Sequence, residues 1–173
     1  MKVLVAYYSR TGTTKRVADA LAENLNADVE PIVSDTKDKG MGRLAMQAFM
    51  RAHAKIAPTT NDAASYDLVV VGSPVWAGRM STPIRTYLAE NKDRFNGLAF
   101  FCTHGNPSSE GGAKMLESME TLSGKKSARM LDVPANDVES GAYAEKVKRF
   151  AAALLELPAS PYSGARAQDI RSP

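Results

Sequence analysis

Residues 3–8 (VLVAYY), 68–71 (LVVV) and 98–102 (LAFFC) are short, almost uninterrupted apolar runs bounded by polar residues or glycine. Runs this short and this uniformly apolar suit strands buried on both faces, as in a parallel sheet, rather than strands with one wet face. Between them the periodicity changes. Val17, Leu21 and Leu25 recur at helical spacing within 14–25, and residues 83–91, 113–122 and 143–157 also read as helices. Residues 27–33 and 127–133 supply two further strands. Strands alternating with helices predict a doubly wound α/β domain around a five-stranded parallel sheet.

The domain is expected to span residues 1–157, followed by a Pro-, Ser-, Gly- and Ala-rich mobile tail at 158–173. Between the second and third strands, residues 41–56 form an extra helical stretch with Leu44, Ala45, Ala48 and Phe49 on one face. Met46 and Met50 share its spacing and read as core positions rather than a substrate lid. Cys102 is the single cysteine, so no internal disulfide can form, and its strand position reads as a small core hydrophobe. The opening apolar run is too short for a signal peptide, and no window approaches the roughly 18 apolar residues of a membrane helix. A cytoplasmic protein without membrane insertion is therefore expected. Net charge is +3 with pI near 9.0, but no basic run with interleaved aromatics occurs, so nucleic acid is not an expected partner. His53 has no acidic or thiol neighbour at ligand spacing, and no metal site is expected.

In an open parallel sheet, ligands bind beyond the carboxyl ends of the strands where strand order reverses. That focuses attention on the loops 9–14, 73–81 and 103–112. The first, SRTGTT, offers backbone N–H groups at a helix start plus the hydroxyls of Ser9, Thr11, Thr13 and Thr14, and Gly12 allows a close turn. Such a loop suits an anion. The Gly-Lys-Ser/Thr ending of a P-loop and the G-x-G-x-x-G dinucleotide pattern are both absent. A phosphorelay receiver would need acidic residues after strands one and three, where this chain has YYSR and SPVW.

Ser9-Arg10-Thr11-Gly12-Thr13-Thr14 matches the flavodoxin phosphate motif Ser/Thr-x-Thr-Gly-x-Thr at every specified position, and GSPVWAG follows the third strand. On these residues the chain resembles the flavodoxin-like group that binds flavin mononucleotide (FMN), over roughly residues 2–155. The resemblance implies strand order 2-1-3-4-5, with the ribityl phosphate in the first loop and Arg10 pointing outward. It also implies that Pro74, Val75, Trp76, Ala77 and Gly78 flank the flavin ring. Trp76 would stack on the ring, and the Gly78 region would accept a hydrogen bond from flavin N5. Simple packing of Trp76 on the following helix is the other reading. The third loop would contribute Thr103, His104, Gly105, Asn106, Gly111 and Gly112, but it lacks the tyrosine that electron-carrying flavodoxins usually place there. His104 then becomes the candidate catalytic residue, or else a partly exposed loop histidine. An open flavin face and a basic pI imply an NAD(P)H-dependent reductase of quinones or similar small acceptors. The alternative is a flavodoxin that shuttles electrons to a redox partner protein, and a flavin-less binding module is a third. A homodimer is compatible with all three.

Overall fold

A computed structural model describes residues 1–34, 40, 42, 43, 46, 53–105 and 110–157. Its strands are β1 (Val3–Tyr7), β2 (Asp28–Pro31), β3 (Leu68–Trp76), β4 (Arg79–Met80), β5 (Leu98–His104) and β6 (Met130–Pro134). Its helices are α1 (Thr13–Leu25), α2 (Thr82–Asn91), α3 (Glu110–Ser123), α4 (Ala135–Ser140) and α5 (Tyr143–Leu155). The sheet runs β2-β1-β3-β5-β6 with every pairing on that path parallel, and β4 turns back antiparallel on the end of β3. The predicted doubly wound topology is the one observed.

Burial on both faces explains why the strand sequences show no alternation. Val3, Val5 and Tyr7 of β1 pack with Val17, Leu21 and Leu25 of α1 and with Val147, Phe150 and Leu154 of α5. Leu4 and Ala6 point the other way, into a core shared with Ile84 and Leu88 of α2 and Met115 and Met119 of α3. α1 ends at Asn26, whose left-handed backbone (φ 46°) lets its N–H reach the carbonyls of Ala22 and Glu23. The edge strand β2 is shorter than the predicted 27–33 and holds Pro31, which an edge tolerates. Its buried Glu30 accepts hydrogen bonds from the backbone N–H groups of Thr60 and Asn61 and from the Asn61 side chain, which tie loop 57–62 to the edge.

Glycine is required at one position in the middle of the sheet. A Cβ on Gly72 of β3 would lie 2.0 Å from Cζ of the fully buried Phe101 on β5. Gly72→Ala is expected to destabilise the fold by about 1–3 kcal/mol through overpacking. Denaturant unfolding checks this, and a loss below about 0.5 kcal/mol would mean that the ring moves aside freely.

One expectation needs adjustment. Met46 is 58% exposed and therefore does not pack in the core. The remaining apolar positions read for that stretch (Leu44, Ala45, Ala48, Phe49 and Met50) lie outside the described residues, as does the tail 158–173. Among the described residues, no helix is long and apolar enough to cross a membrane.

Candidate functional site

The carboxyl ends of β1, β3 and β5 meet at a cavity of about 240 Å³. It is lined by Arg10, Thr11, Thr13 and Thr14 from the first loop, Pro74, Val75 and Trp76 from the end of β3, and Thr103, His104 and Gly105 from β5. Ala135, at the start of α4, completes it, a residue that reading the three loops alone did not reach. Four other cavities are larger, at about 260, 290, 570 and 660 Å³. Volume is therefore a poor guide here, and the donor chemistry is the better one.

That chemistry begins at Gly12, the N-cap of α1, with φ 96° and no side chain capping the helix. The first N–H groups of α1 and their positive dipole end thus have no side-chain acceptor at the cap, which favours an anion there. Ser9 Oγ accepts from the Gly12 N–H at 3.1 Å and closes the loop on itself. Thr14, buried, shares a 2.7 Å hydroxyl hydrogen bond with Thr103, coupling the first loop to the third. Thr11 and Thr13 approach each other only at 3.4 Å, and Thr11 is exposed. Arg10 is half-buried and lines the cavity, whereas an outward side chain was expected.

The second loop differs most from its expected form. β3 continues past the apolar run to Trp76, so the indole ends a strand instead of following one in a loop. It is 5% exposed and belongs to the core, edge-on to the Tyr8 ring at 5.6 Å between centroids and 88° between planes. Ala77 and Gly78 form a two-residue hairpin tip, both with positive φ (48° and 71°), as a type I′ turn requires. Both line the neighbouring 660 Å³ cavity instead of the three-loop cavity. Ser81 is the N-cap of α2, and its N–H donates to Ser73 Oγ at 3.0 Å, fastening the returning strand to β3.

In the third loop, β5 extends to His104, whose side chain is only 5% exposed. Its Nε2 stands 2.7 Å from Asp132 Oδ1 on β6, but the N–H does not point along that line, so the contact is a close polar approach rather than an aligned hydrogen bond. Cys102, on the same face of β5, donates its thiol to the same carboxylate oxygen at 3.0 Å. Burial first, and then that bond, push the thiol well above its ordinary range, so it is not a nucleophile. Gly112, inside α3, lies so close to Asp132 that a Cβ would sit 2.5 Å from Oδ1. Both Gly111 and Gly112 are helical, and Gly112 faces this carboxylate rather than a loop. Asn106 lies outside the described residues. Asp132 went unnoticed because it sits within a predicted strand. Its one signal was a carboxylate between Leu131 and Val133, the two buried residues of β6. Among the described residues, no group of His, Cys, Asp and Glu could hold a metal ion.

An open parallel sheet with a hydroxyl-rich helix start at its reversal point is the architecture of a doubly wound α/β protein. The chain belongs to the flavodoxin family, whose sequence model matches residues 2–147. A curated relative, an NAD(P)H dehydrogenase (quinone) from Cupriavidus metallidurans, is 34% identical over 100 residues, covering 56% of this chain and 48% of the relative. The chain thus matches about half the length of that protein. Among solved structures, a flavoprotein from Lactobacillus acidophilus in complex with FMN superposes with TM-score 0.64 at 22% identity, over 82% of this chain and 98% of that one. Oxidised flavodoxin 2 from Bacillus cereus gives 0.59 at 18% identity, over 90% and 99%. These similarities establish the shared fold.

Proposed function

We propose that the chain holds FMN at the three-loop cavity and passes electrons from NAD(P)H to a quinone or similar small acceptor. The observation that carries this reading is the start of α1, which no side chain caps and whose Thr13 and Thr14 line the same cavity as Pro74–Trp76 and Thr103–Gly105. Thr11, Thr13 and Thr14 would hold the phosphate with the helix N–H groups, by hydrogen bonds and dipole rather than by ion pairing. When bound, FMN would supply the electron-transfer chemistry that no side chain of the protein provides. The 240 Å³ cavity falls below the ~300–1,000 Å³ typical of ligand sites, so part of the flavin would remain open to a second reactant.

Quinone reduction consumes two protons along with two electrons. His104 is the titratable side chain of the third loop that reaches this cavity, and Asp132 Oδ1 stands 2.7 Å from its Nε2 on the β6 side. The imidazole can hand a proton to the acceptor's oxygen and recover it from solvent. The name of the curated relative and the basic pI near 9.0 support the reductase over the shuttle, whose usual surface is acidic.

The test is steady-state turnover of the FMN-loaded protein with NADH or NADPH and a panel of quinones. Quinone reduction is expected, and His104→Gln should lower it about a hundredfold, the scale of general acid catalysis, without lowering FMN affinity. Asp132→Asn should alter the pH profile of the same rate. Absence of turnover with both nicotinamides, together with widely separated one-electron potentials, would transfer the chain to the electron-shuttle reading.

A further inference from the structure

Cys102 takes no part in the proton transfer assigned to His104, yet it is tied to it. It is wholly buried in β5, directly opposite Asp132 of β6, and its thiol donates to Asp132 Oδ1 at 3.0 Å. Burial, and then that bond, keep the thiol in its protonated form, so its S–H is a standing donor. A cysteine that only filled space in the core would need no such partner. The same Oδ1 stands 2.7 Å from Nε2 of His104, two residues further along the same face of β5. Gly112 of α3 closes a third side, where a Cβ would lie 2.5 Å from Oδ1 and 2.6 Å from both Cγ and Oδ2. The carboxylate therefore lays its flat face against the glycine, and only the lack of a side chain admits it.

The imidazole is the open end of this cluster. Its side chain is 5% exposed and lines the three-loop cavity, yet among the described residues neither ring nitrogen has an aligned hydrogen-bond partner. A buried ring left so is costly until a neighbour or a ligand satisfies it. A carboxylate beside Nε2 can only accept, so it favours the neutral ring whose proton sits on Nε2. Nδ1 is then the atom at which the ring takes up a second proton and gives it back. Which way the ring settles depends on where Oδ1 points, and the thiol and Gly112 decide that. Around the ring and its carboxylate, charge comes from Asp132 on β6 and Arg10 in the first loop, while α3 and α4 present Gly112 and Ala135. We propose that Cys102 is a positioning residue, which through Asp132 Oδ1 holds His104 as the Nε2–H tautomer and leaves Nδ1 to transfer the proton. The tautomer is read from this cluster alone, and its use in catalysis rests on the reductase reading.

Long-range ¹H–¹⁵N NMR of the purified protein at about pH 9, where an unperturbed imidazole is neutral, reads the tautomer without any electron transfer. His53, the other histidine, is exposed and serves as the reference. The parent should carry the His104 proton on Nε2. Cys102→Ala should give a mixture of the two tautomers, and Cys102→Ser, which restores a donor, should return the Nε2–H form. Asp132→Ala should release the preference by itself, and Cys102→Ala should add nothing in that background. Thermal unfolding sets packing apart, because a mere core filler would tolerate alanine better than serine and neither would move the His104 signals. In quinone turnover, kcat should fall about tenfold in Cys102→Ala with KM unchanged, the scale of one hydrogen bond to a charged group, and Cys102→Ser should recover most of it. A parent ring with its proton on Nδ1, or a tautomer unchanged in Cys102→Ala, overturns the proposal. So does a serine variant that behaves like the alanine one. Missing turnover in the parent, alongside the expected spectra, overturns the reductase reading instead.

Discussion

Thr11→Ala combined with Thr14→Ala is expected to remove most of the preference for FMN over riboflavin, a loss of roughly a hundredfold or more. FMN and riboflavin differ only by the phosphate, so the ratio of their affinities isolates the loop from every other contact. Each hydroxyl hydrogen bond to a charged acceptor contributes about 1.5–3 kcal/mol, and tenfold in affinity corresponds to about 1.4 kcal/mol. The two threonines stand close enough to couple, so the double loss will fall short of the simple sum. Thr14 carries a second duty, because its hydroxyl is bonded to that of Thr103 at 2.7 Å in a buried setting. Thr14→Ala should therefore also lower stability, and riboflavin affinity will register that damage while the ratio cancels it. Thr11 is exposed, and its replacement should act on the phosphate alone. Equal affinity of the unmodified protein for the two flavins, measured by fluorescence titration, would remove the phosphate from the first loop.

The topology was legible because both faces of this sheet are covered, which leaves β1, β3 and β5 almost wholly apolar and easy to distinguish from helices. The first loop was legible for a different reason. Anion binding by N–H groups and hydroxyls needs a contiguous stretch of Ser, Thr and Gly, and contiguity survives in a sequence. Asp132 shows what does not survive. Its importance comes from register, since Cys102 pairs with it across β5 and β6 and His104 lies two residues further along the same face. Nothing local to MLDVP announces a partner thirty positions away. The hairpin tip was misread for a reason of length. A strand that continues through Gly72, Ser73 and Pro74 loses its apolar signature before it ends, so Trp76 looked like a loop residue although β3 still holds it.

That placement changes what replacing Trp76 should do. An indole lying on a loop over a flavin would contribute about 1–2 kcal/mol to cofactor binding and little to the fold. Trp76 instead is 5% exposed, packed in the α2–α3 core and edge-on to Tyr8. Trp76→Ala is therefore expected to cost the flavin-free protein about 3–5 kcal/mol, the range for deleting a large buried aromatic. For a chain of this size that corresponds to a fall of about 6–20 °C in Tm. Trp76→Phe should recover part of the loss, since a smaller ring can still meet the Tyr8 edge. FMN affinity should fall less steeply than stability in both variants, because residues 74–76 line the cavity from a strand end that the Ser73–Ser81 bonds hold in place. Thermal unfolding of the flavin-free variants, paired with FMN titration, separates the two roles. If Trp76→Ala leaves the flavin-free fold within about 1 kcal/mol of the parent yet weakens FMN tenfold, the indole serves the cofactor and the packing account fails.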